Sequence, residues 1–490
     1  MIKKTTSGAS VDALALTFVR VVTVLISMVI YKLLAVTFSV EEYGTYASAT
    51  LISTTVSSLT ILGLTDAVNY FYAKERDVEK GKIYVYTIFC IQIIVGVVSA
   101  ILVICLSKPI AAYFNNTSVE KFIPIVAFIP LFTNISNMLQ VLFVTAKKAK
   151  IIAIRNLIIA VLKIVFITIT CLTLKNMYAV MVITLVLDIG NVVYMLLYCK
   201  KNIFSIKIKN ANMHLVKGIL QYSIPMAVYI LTNSMSKNID KLVIGALGTS
   251  EMMGIYSIAA KELPFDILTT SFLTVLIPYI TRYISEQDYK NAADIFSKYL
   301  QLTYIVTWII AGGALVCSDE LMQILYDKKY LSGLGIFCLY ILVEMMKFAN
   351  VSLIFSVMNR AKELLCYSGA ALALNTGLNI VFFKIWGMIG PAIATVVVTL
   401  ALSCVIMIRS AQLLNTHVSY LLNIKQMIYI FVECVLCSVI PLMIQYFLKD
   451  RINTLIMFII CYLLFAVPLL LINYKKILRL LKVINNSKLI

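Results

Sequence analysis

Two stretches decide the fold: IYVYTIFCIQIIVGVVSAILVICL at Ile83–Leu106 and LIMFIICYLLFAVPLLLI at Leu455–Ile472. Each runs 18 residues or more without a charge and without the apolar/polar alternation of a strand. A bilayer-spanning helix needs about 20 apolar residues, and a barrel strand alternates over about 10. Both stretches are therefore read as spanning helices. The rest of the chain repeats the pattern: 61% of the 490 residues are hydrophobic and 13% charged, with a mean hydropathy of +0.95. Water-soluble domains carry about 25% charged residues. A soluble enzyme is excluded, and an all-α polytopic membrane protein is the expected class.

Working outward, apolar runs between polar breaks predict about fourteen spans, from 14–38 through 45–71, 83–107, 122–144, 252–283 and 334–358 to 453–473. The first, Leu14 to Phe38, is too long for a signal-peptide core and is read as a retained span. No connection is long enough to fold into a soluble catalytic module. The expected organisation is a six-helix lobe at 1–200, a cytoplasmic loop at 201–218, a second six-helix lobe at 219–410, and two further helices with a basic tail at 411–490.

Charge sets the orientation. With the N-terminus inside, 27 Lys and Arg fall in inner connections and 8 in outer ones. The positive-inside rule then puts both termini in the cytoplasm. The formal net charge of +19 belongs to the loops, because seven basic and seven acidic residues inside the spans cancel. The basic loops face an anionic leaflet and imply no nucleic-acid partner. Eleven cysteines, mostly single within apolar runs, read as small hydrophobes; Cys434 and Cys437 have no second ligand pair, and His214 and His417 lie far apart. No metal site or catalytic group is expected.

An ionisable side chain at mid-membrane costs at least about 2.5 kcal/mol and so faces a bundle interior or a wet cavity. Lys163 and Asp188 fall at similar depth on consecutive spans and can pair, and Glu344 and Lys347 at i, i+3 form a local clip. Asn233, Lys237 and Lys241 follow at i+4 steps with Asp240 beside them, giving one polar stripe. Arg20 and Lys32 lie on the first span; Lys261, Glu262 and Asp266 surround Pro264, which frees a carbonyl and bends the helix. Span two carries Ser53, Thr54, Thr55, Ser57, Ser58 and Thr60, then Asp66 and Asn69. Such hydroxyls either satisfy their own helix carbonyls or line a sugar cavity. The candidate cargo-binding residues are thus Arg20, Lys32, Asp66, Lys163, Asp188, Lys237, Lys241 and Lys261, with Glu262 and Asp266 as candidates for a coupling ion.

The chain also resembles itself. YKLLAVTFSVEEYGTYASA from Tyr31 lies over DKLVIGALGTSEMMGIYSIA from Asp240 with one inserted residue, matching Lys32 with Lys241, Glu41 with Glu251, Gly44 with Gly254 and Tyr46 with Tyr256. The two copies point the same way, which predicts parallel pseudo-symmetric halves with a site between them.

These residues resemble a known family. SVEEYGTYA at Ser39–Ala47, the stretch YSIPMAVYILTNSMSKNIDKLVIGALGTSEMMGIYSIA from Tyr222, and ALNTGLNIVFFKIWGMIGPAIATVV from Ala373 are similar to motifs of Wzx-type oligosaccharide-repeat flippases in the multidrug/oligosaccharidyl-lipid/polysaccharide exporter superfamily. Glu262, Pro264, Pro278 and Arg282 match a pattern of the related lipid II flippases, while Ala259 and Val36 stand where relatives have Arg. The resemblance implies fourteen helices, alternating access, no cofactor, and a bacterial cytoplasmic-membrane flippase for undecaprenyl-diphosphate-linked repeat units of O-antigen or capsule. It further implies membrane lipids as surroundings, coupling to H⁺ or Na⁺, and polymerase and chain-length proteins as pathway neighbours. A cation-coupled multidrug antiporter of the same superfamily would want an acidic, aromatic cavity. A polysaccharide polymerase or ligase would carry a large outer loop, which this chain lacks.

Overall fold

The computed structural model describes residues 3–75, 77–448 and 451–486, with side chains left out for 3–18, 149, 266–272, 274–275 and 483–486. The described chain is nearly all helix, with no strand among the described residues. Among the described residues, sixteen helices have ten or more residues: α1 (Lys3–Thr37), α2 (Val40–Thr60), α3 (Leu64–Lys74), α4 (Val78–Cys105), α5 (Ile129–Thr145), α6 (Ala149–Thr173), α7 (Met177–Asn202), α8 (Val216–Leu247), α9 (Ser250–Ala259), α10 (Asp266–Ser285), α11 (Tyr289–Val316), α12 (Leu334–Met346), α13 (Ala361–Trp386), α14 (Gly390–Leu413), α15 (Ile424–Leu448) and α16 (Thr454–Asn486).

Among the described residues, twelve stretches are long and apolar enough to cross a membrane. The two stretches quoted above lie in the most apolar of them, at mean hydropathies of 2.9 and 3.0. One stretch, Ala361–Leu413, is 53 residues long and is the α13–α14 hairpin, folded at Gly387–Ile389. The fold is that of a multi-pass membrane protein.

The chain divides into two compact units, Met1–Ile255 and Tyr256–Ile490. In the first, α3, α4, α5 and α7 bury a core built on Phe89, Met138, Leu142, Phe143 and Met195. In the second, α11 is the central element: Phe296, Tyr299, Leu300, Tyr304 and Ile305 are fully enclosed. Gly312 and Gly313 let α16 come close, since added Cβ atoms would sit 3.0 Å from Phe465 and 2.7 Å from Tyr462.

Four expected spans are interrupted. Residues 45–71 break at Leu62 and Gly63, both left-handed (φ 46° and 64°), between α2 and α3. Gly63 is required there because a Cβ would lie 2.3 Å from the Ser223 carbonyl oxygen. Residues 122–144 split into Ile123–Val126 and α5, each with a proline in its first turn. Residues 252–283 unwind at 260–265 around Pro264, and 334–358 unwind at 347–352. A continuous apolar run guarantees burial in lipid or protein, but it does not guarantee an unbroken helix.

The internal repeat has matching local structure. Ser39 begins α2 with a capping box, its hydroxyl accepting from the Glu42 N–H at 3.1 Å while the Glu42 carboxylate accepts from the Ser39 N–H at 2.8 Å. Thr249 stands at the equivalent place before α9 and accepts from the Met252 N–H at 3.2 Å. The matched glycines meet: a Cβ on Gly44 would lie 1.8 Å from the Ser250 oxygen, and one on Gly254 2.2 Å from the Val40 oxygen.

Candidate functional site

The hydroxyls of span two converge on a cavity. Tyr46, Thr50, Ser53, Thr54, Ser57 and Ser58 recur on one face of α2 and line a space of about 310 Å³ with Ile129 and Thr133 of α5 and Met181 and Thr184 of α7. Their spacing of three, four, seven and eight residues is that of one helix face. Thr50, Thr54 and Ser58 donate to carbonyls on their own helix. Ser57 donates to the Asn134 side chain at 2.7 Å, and Asn134 donates in turn to the Thr60 hydroxyl at 3.0 Å. A hydroxyl that donates to its own helix keeps acceptor capacity on its oxygen, part of which Ser58 shares with the Ser234 hydroxyl of α8 at 2.5 Å.

Next to this cavity lies an ion pair. Lys163 of α6 meets Asp188 of α7 at 3.0 Å, with the two side chains 29% and 16% exposed. Asp188 is near enough to Tyr46 for its charge to act on that phenol. The depth argument from sequence thus brings together the expected pair, and it falls beside the hydroxyl-lined wall.

The remaining cations of the first unit are distributed. Arg20 and Lys32 are both exposed on α1, about 18 Å apart along the axis at 1.5 Å per residue. On α8, Lys237 is exposed and Lys241 half-buried, flanking an Asp240 that is 2% exposed. Asp66 is exposed on α3, and one turn further Tyr70 stacks on Tyr222 of α8 with ring centres 4.3 Å apart.

In the second unit Glu262 does more than sit beside Lys261. It reaches across 85 residues to Lys347, 3.0 Å away, and Glu344 approaches the same ammonium at 3.6 Å. The side chain of Asp266 lies outside the described residues.

Sequence counting also misplaced one cation. Arg155, assigned to an inner connection, is 7% exposed within α6 and donates to Ser136, Asn191 and Gln140 at 3.2, 3.3 and 2.7 Å. These three acceptors are all neutral. The available signal was its place four residues inside the apolar run that starts at Ile151.

Residues 33–334 match the family model described as "Polysaccharide biosynthesis protein". That match covers more than half of the chain. The chain belongs to this polysaccharide biosynthesis family. No curated protein sequence matches this one. Solved structures give the fold. The chain is similar to the lipid II flippase MurJ in an inward closed conformation, at TM-score 0.68 and 14% identity over 94% of this chain and 99% of that one. It is also similar to a multidrug-resistance MATE transporter in an inward-facing conformation, at TM-score 0.66 and 12% identity over 82% and 99%. A transporter from Pyrococcus furiosus with a binding pocket of reversed polarity follows at TM-score 0.52 and 10% identity, over 83% and 94%. This member of the polysaccharide biosynthesis family therefore has the fold of flippases and transporters.

Proposed function

We propose that this polysaccharide biosynthesis protein carries a lipid-linked oligosaccharide from the inner to the outer leaflet of the bacterial cytoplasmic membrane by alternating access. The observation that carries the reading is the hydroxyl-lined cavity of α2 beside the Lys163–Asp188 pair. A sugar presents donors and acceptors on a compact apolar ring, and this wall offers hydroxyl oxygens and one phenol, with an ion pair next to it. The cargo diphosphate needs cations: Arg20, Lys237 and Lys261 are assigned that role, with Lys32, Lys163 and Lys241 as further contacts. Asp66 and Asp188 hold cations in place when the site is empty. The lipid, taken as undecaprenyl diphosphate, keeps its tail in the bilayer, and the exported unit enters O-antigen or capsule through a polymerase and chain-length proteins.

The multidrug-antiporter reading is disfavoured by the same cavity, which has one aromatic wall residue, Tyr46, and no acidic one. The test is lipid-linked glycan analysis in a deletion strain complemented with variants. Arg20→Ala or Lys261→Ala abolishes surface glycan at unchanged protein level, while Lys207→Ala in the inner loop does not. Equal tolerance of all three removes the diphosphate assignment. Rescue by Lys at position 20 shows that charge rather than guanidinium fork geometry is required.

A further inference from the structure

The second unit holds two helix breaks, at residues 260–265 between α9 and α10 and at 347–352 after α12. Both fall inside runs that are apolar enough to be read as spans. Non-helical backbone at membrane depth persists only where protein or water satisfies it, and in transporters such discontinuities are where ions bind. One ion-pair cluster joins the two breaks: Lys347, the residue that ends α12, bonds Glu262 of the other break at 3.0 Å and also Glu344 at 3.6 Å. Glu344 is 9% exposed, whereas Glu262 is 40% exposed.

We propose that Glu262, Glu344 and Lys347 form a proton-binding site that latches the two helix breaks together and lets go when Glu262 takes up a proton. Two carboxylates share one ammonium. Protonation of one therefore leaves Lys347 with the other and strands no buried charge. Glu262 is the exchanging group because its side chain is the more exposed of the two carboxylates, 40% against 9%. The proton goes from water to its carboxylate oxygen, its bond to Lys347 weakens, and Lys347 stays paired with Glu344 on its own helix. The 260–265 segment is then free to move relative to 347–352.

Other charged or titratable groups near the cluster have identifiable places. Lys261 adjoins Glu262, and the Asp266 side chain lies outside the described residues. From α11, the Tyr299 hydroxyl accepts from the Asn350 N–H at 3.4 Å, and Tyr304 packs on Phe348. From α14, Arg409 is held by Glu363 at 2.6 Å. Asp319 and Glu320 lie on Ser318–Leu325, which packs on α12.

The protein carries its own reporter. Trp308 of α11 donates its indole N–H to the Met345 carbonyl at 3.1 Å, two residues before Lys347. The chain has two tryptophans, so Trp386→Phe leaves Trp308 alone. The experiment is a pH titration of Trp308 emission in the purified full chain, between about pH 4 and pH 9. One sigmoidal transition is expected in the Trp386→Phe protein and none in Glu262→Gln. Lys347→Met removes the attracting charge and moves the midpoint to higher pH; Glu344→Gln removes the repelling one and moves it lower. Each shift is expected to be about tenfold in proton affinity or more.

A flat titration, or one unchanged by Glu262→Gln, overturns the proposal. If a variant fails to fold, the infrared carboxyl stretch of the native chain decides: absence of a protonating glutamate over this pH range also overturns it. The inference rests on the transport reading for its purpose, but the titration contains no cargo. Its failure leaves the flippase assignment standing, and failure of flipping leaves the latch standing.

Discussion

Replacing Gly44 by Ala tests the crossing of α2 and α9. The new Cβ would lie 1.8 Å from the Ser250 carbonyl oxygen, where ordinary contact begins at 3.4 Å. The atom that it meets is backbone, so no side chain can swing away. The helices must part by about 1.5 Å, and overpacking of this kind costs about 1–3 kcal/mol. At 1.4 kcal/mol per factor of ten, the crossing loses about 5- to 150-fold in population. Gly254→Ala makes the same demand from the other side, at 2.2 Å from the Val40 oxygen. Once parted by one substitution, the helices accommodate the other, so the double variant costs less than the sum. The control is Gly190→Ala, where nothing lies within 4 Å and the helix gains about 0.5–1 kcal/mol from the better helix former. The assay is the distance distribution between spin labels at Glu41→Cys and Glu251→Cys, both exposed, with native cysteines replaced. Gly44→Ala should broaden and lengthen it, and Gly190→Ala should leave it unchanged. If Gly44→Ala matches the control, or if the two glycine substitutions add fully, the close crossing is refuted.

Further outcomes follow from other parts of the first unit and from the charge pattern. Lys163→Ala leaves a mostly buried Asp188 without its ammonium and should cost about 2 kcal/mol after allowing for partial exposure, with Asp188→Asn added to Lys163→Ala recovering part of the loss in a thermal-unfolding assay. Arg155→Ala strips Ser136, Gln140 and Asn191 of a shared donor, so protein level should fall together with surface glycan, and Arg155→Lys should not restore it because one ammonium cannot span three acceptors on α5 and α7; full folding with selective loss of transport would contradict this structural role. Tags at Lys209 and after Lys482 should report cytoplasm and tags at Thr117 and Asp327 the outer side; an outer C-terminal tail would overturn the charge-based orientation.

What the sequence made legible follows from which forces are local. Apolar runs identified the helical membrane class because burial in lipid needs only composition. The Lys163–Asp188 pair could be read because consecutive spans and a fixed rise per residue put both at one depth. The hydroxyl wall of α2 could be read because helical periodicity fixes which residues share a face. Glu262 with Lys347 could not: 85 residues separate them, and neither carries a mark of the other. Pro264 announced the break at 260–265, yet 347–352 reads KFANVS, without Gly or Pro. That break is imposed by tertiary partners such as Tyr299, whose hydroxyl takes a backbone N–H there. Arg155 was hidden by a counting rule that treats a cation near a span end as loop, whereas three neutral acceptors on neighbouring helices solvate it.

The α13–α14 hairpin bears on how the protein is made. Its turn is three residues, Gly387–Ile389, and Gly387 is left-handed at φ 61°. Gly390 sits against the preceding helix so closely that a Cβ would lie 2.1 Å from the Phe382 oxygen. With so short a link, the two helices are expected to enter the bilayer together, and the contacts between them nearest the turn are local in sequence, the kind that form fastest. The 53 residues from Ala361 to Leu413 are thus expected to insert as a single unit. A larger residue at position 390 would be felt during biosynthesis, as chains cleared before assembly, so its signature is low abundance with normal turnover per surviving molecule.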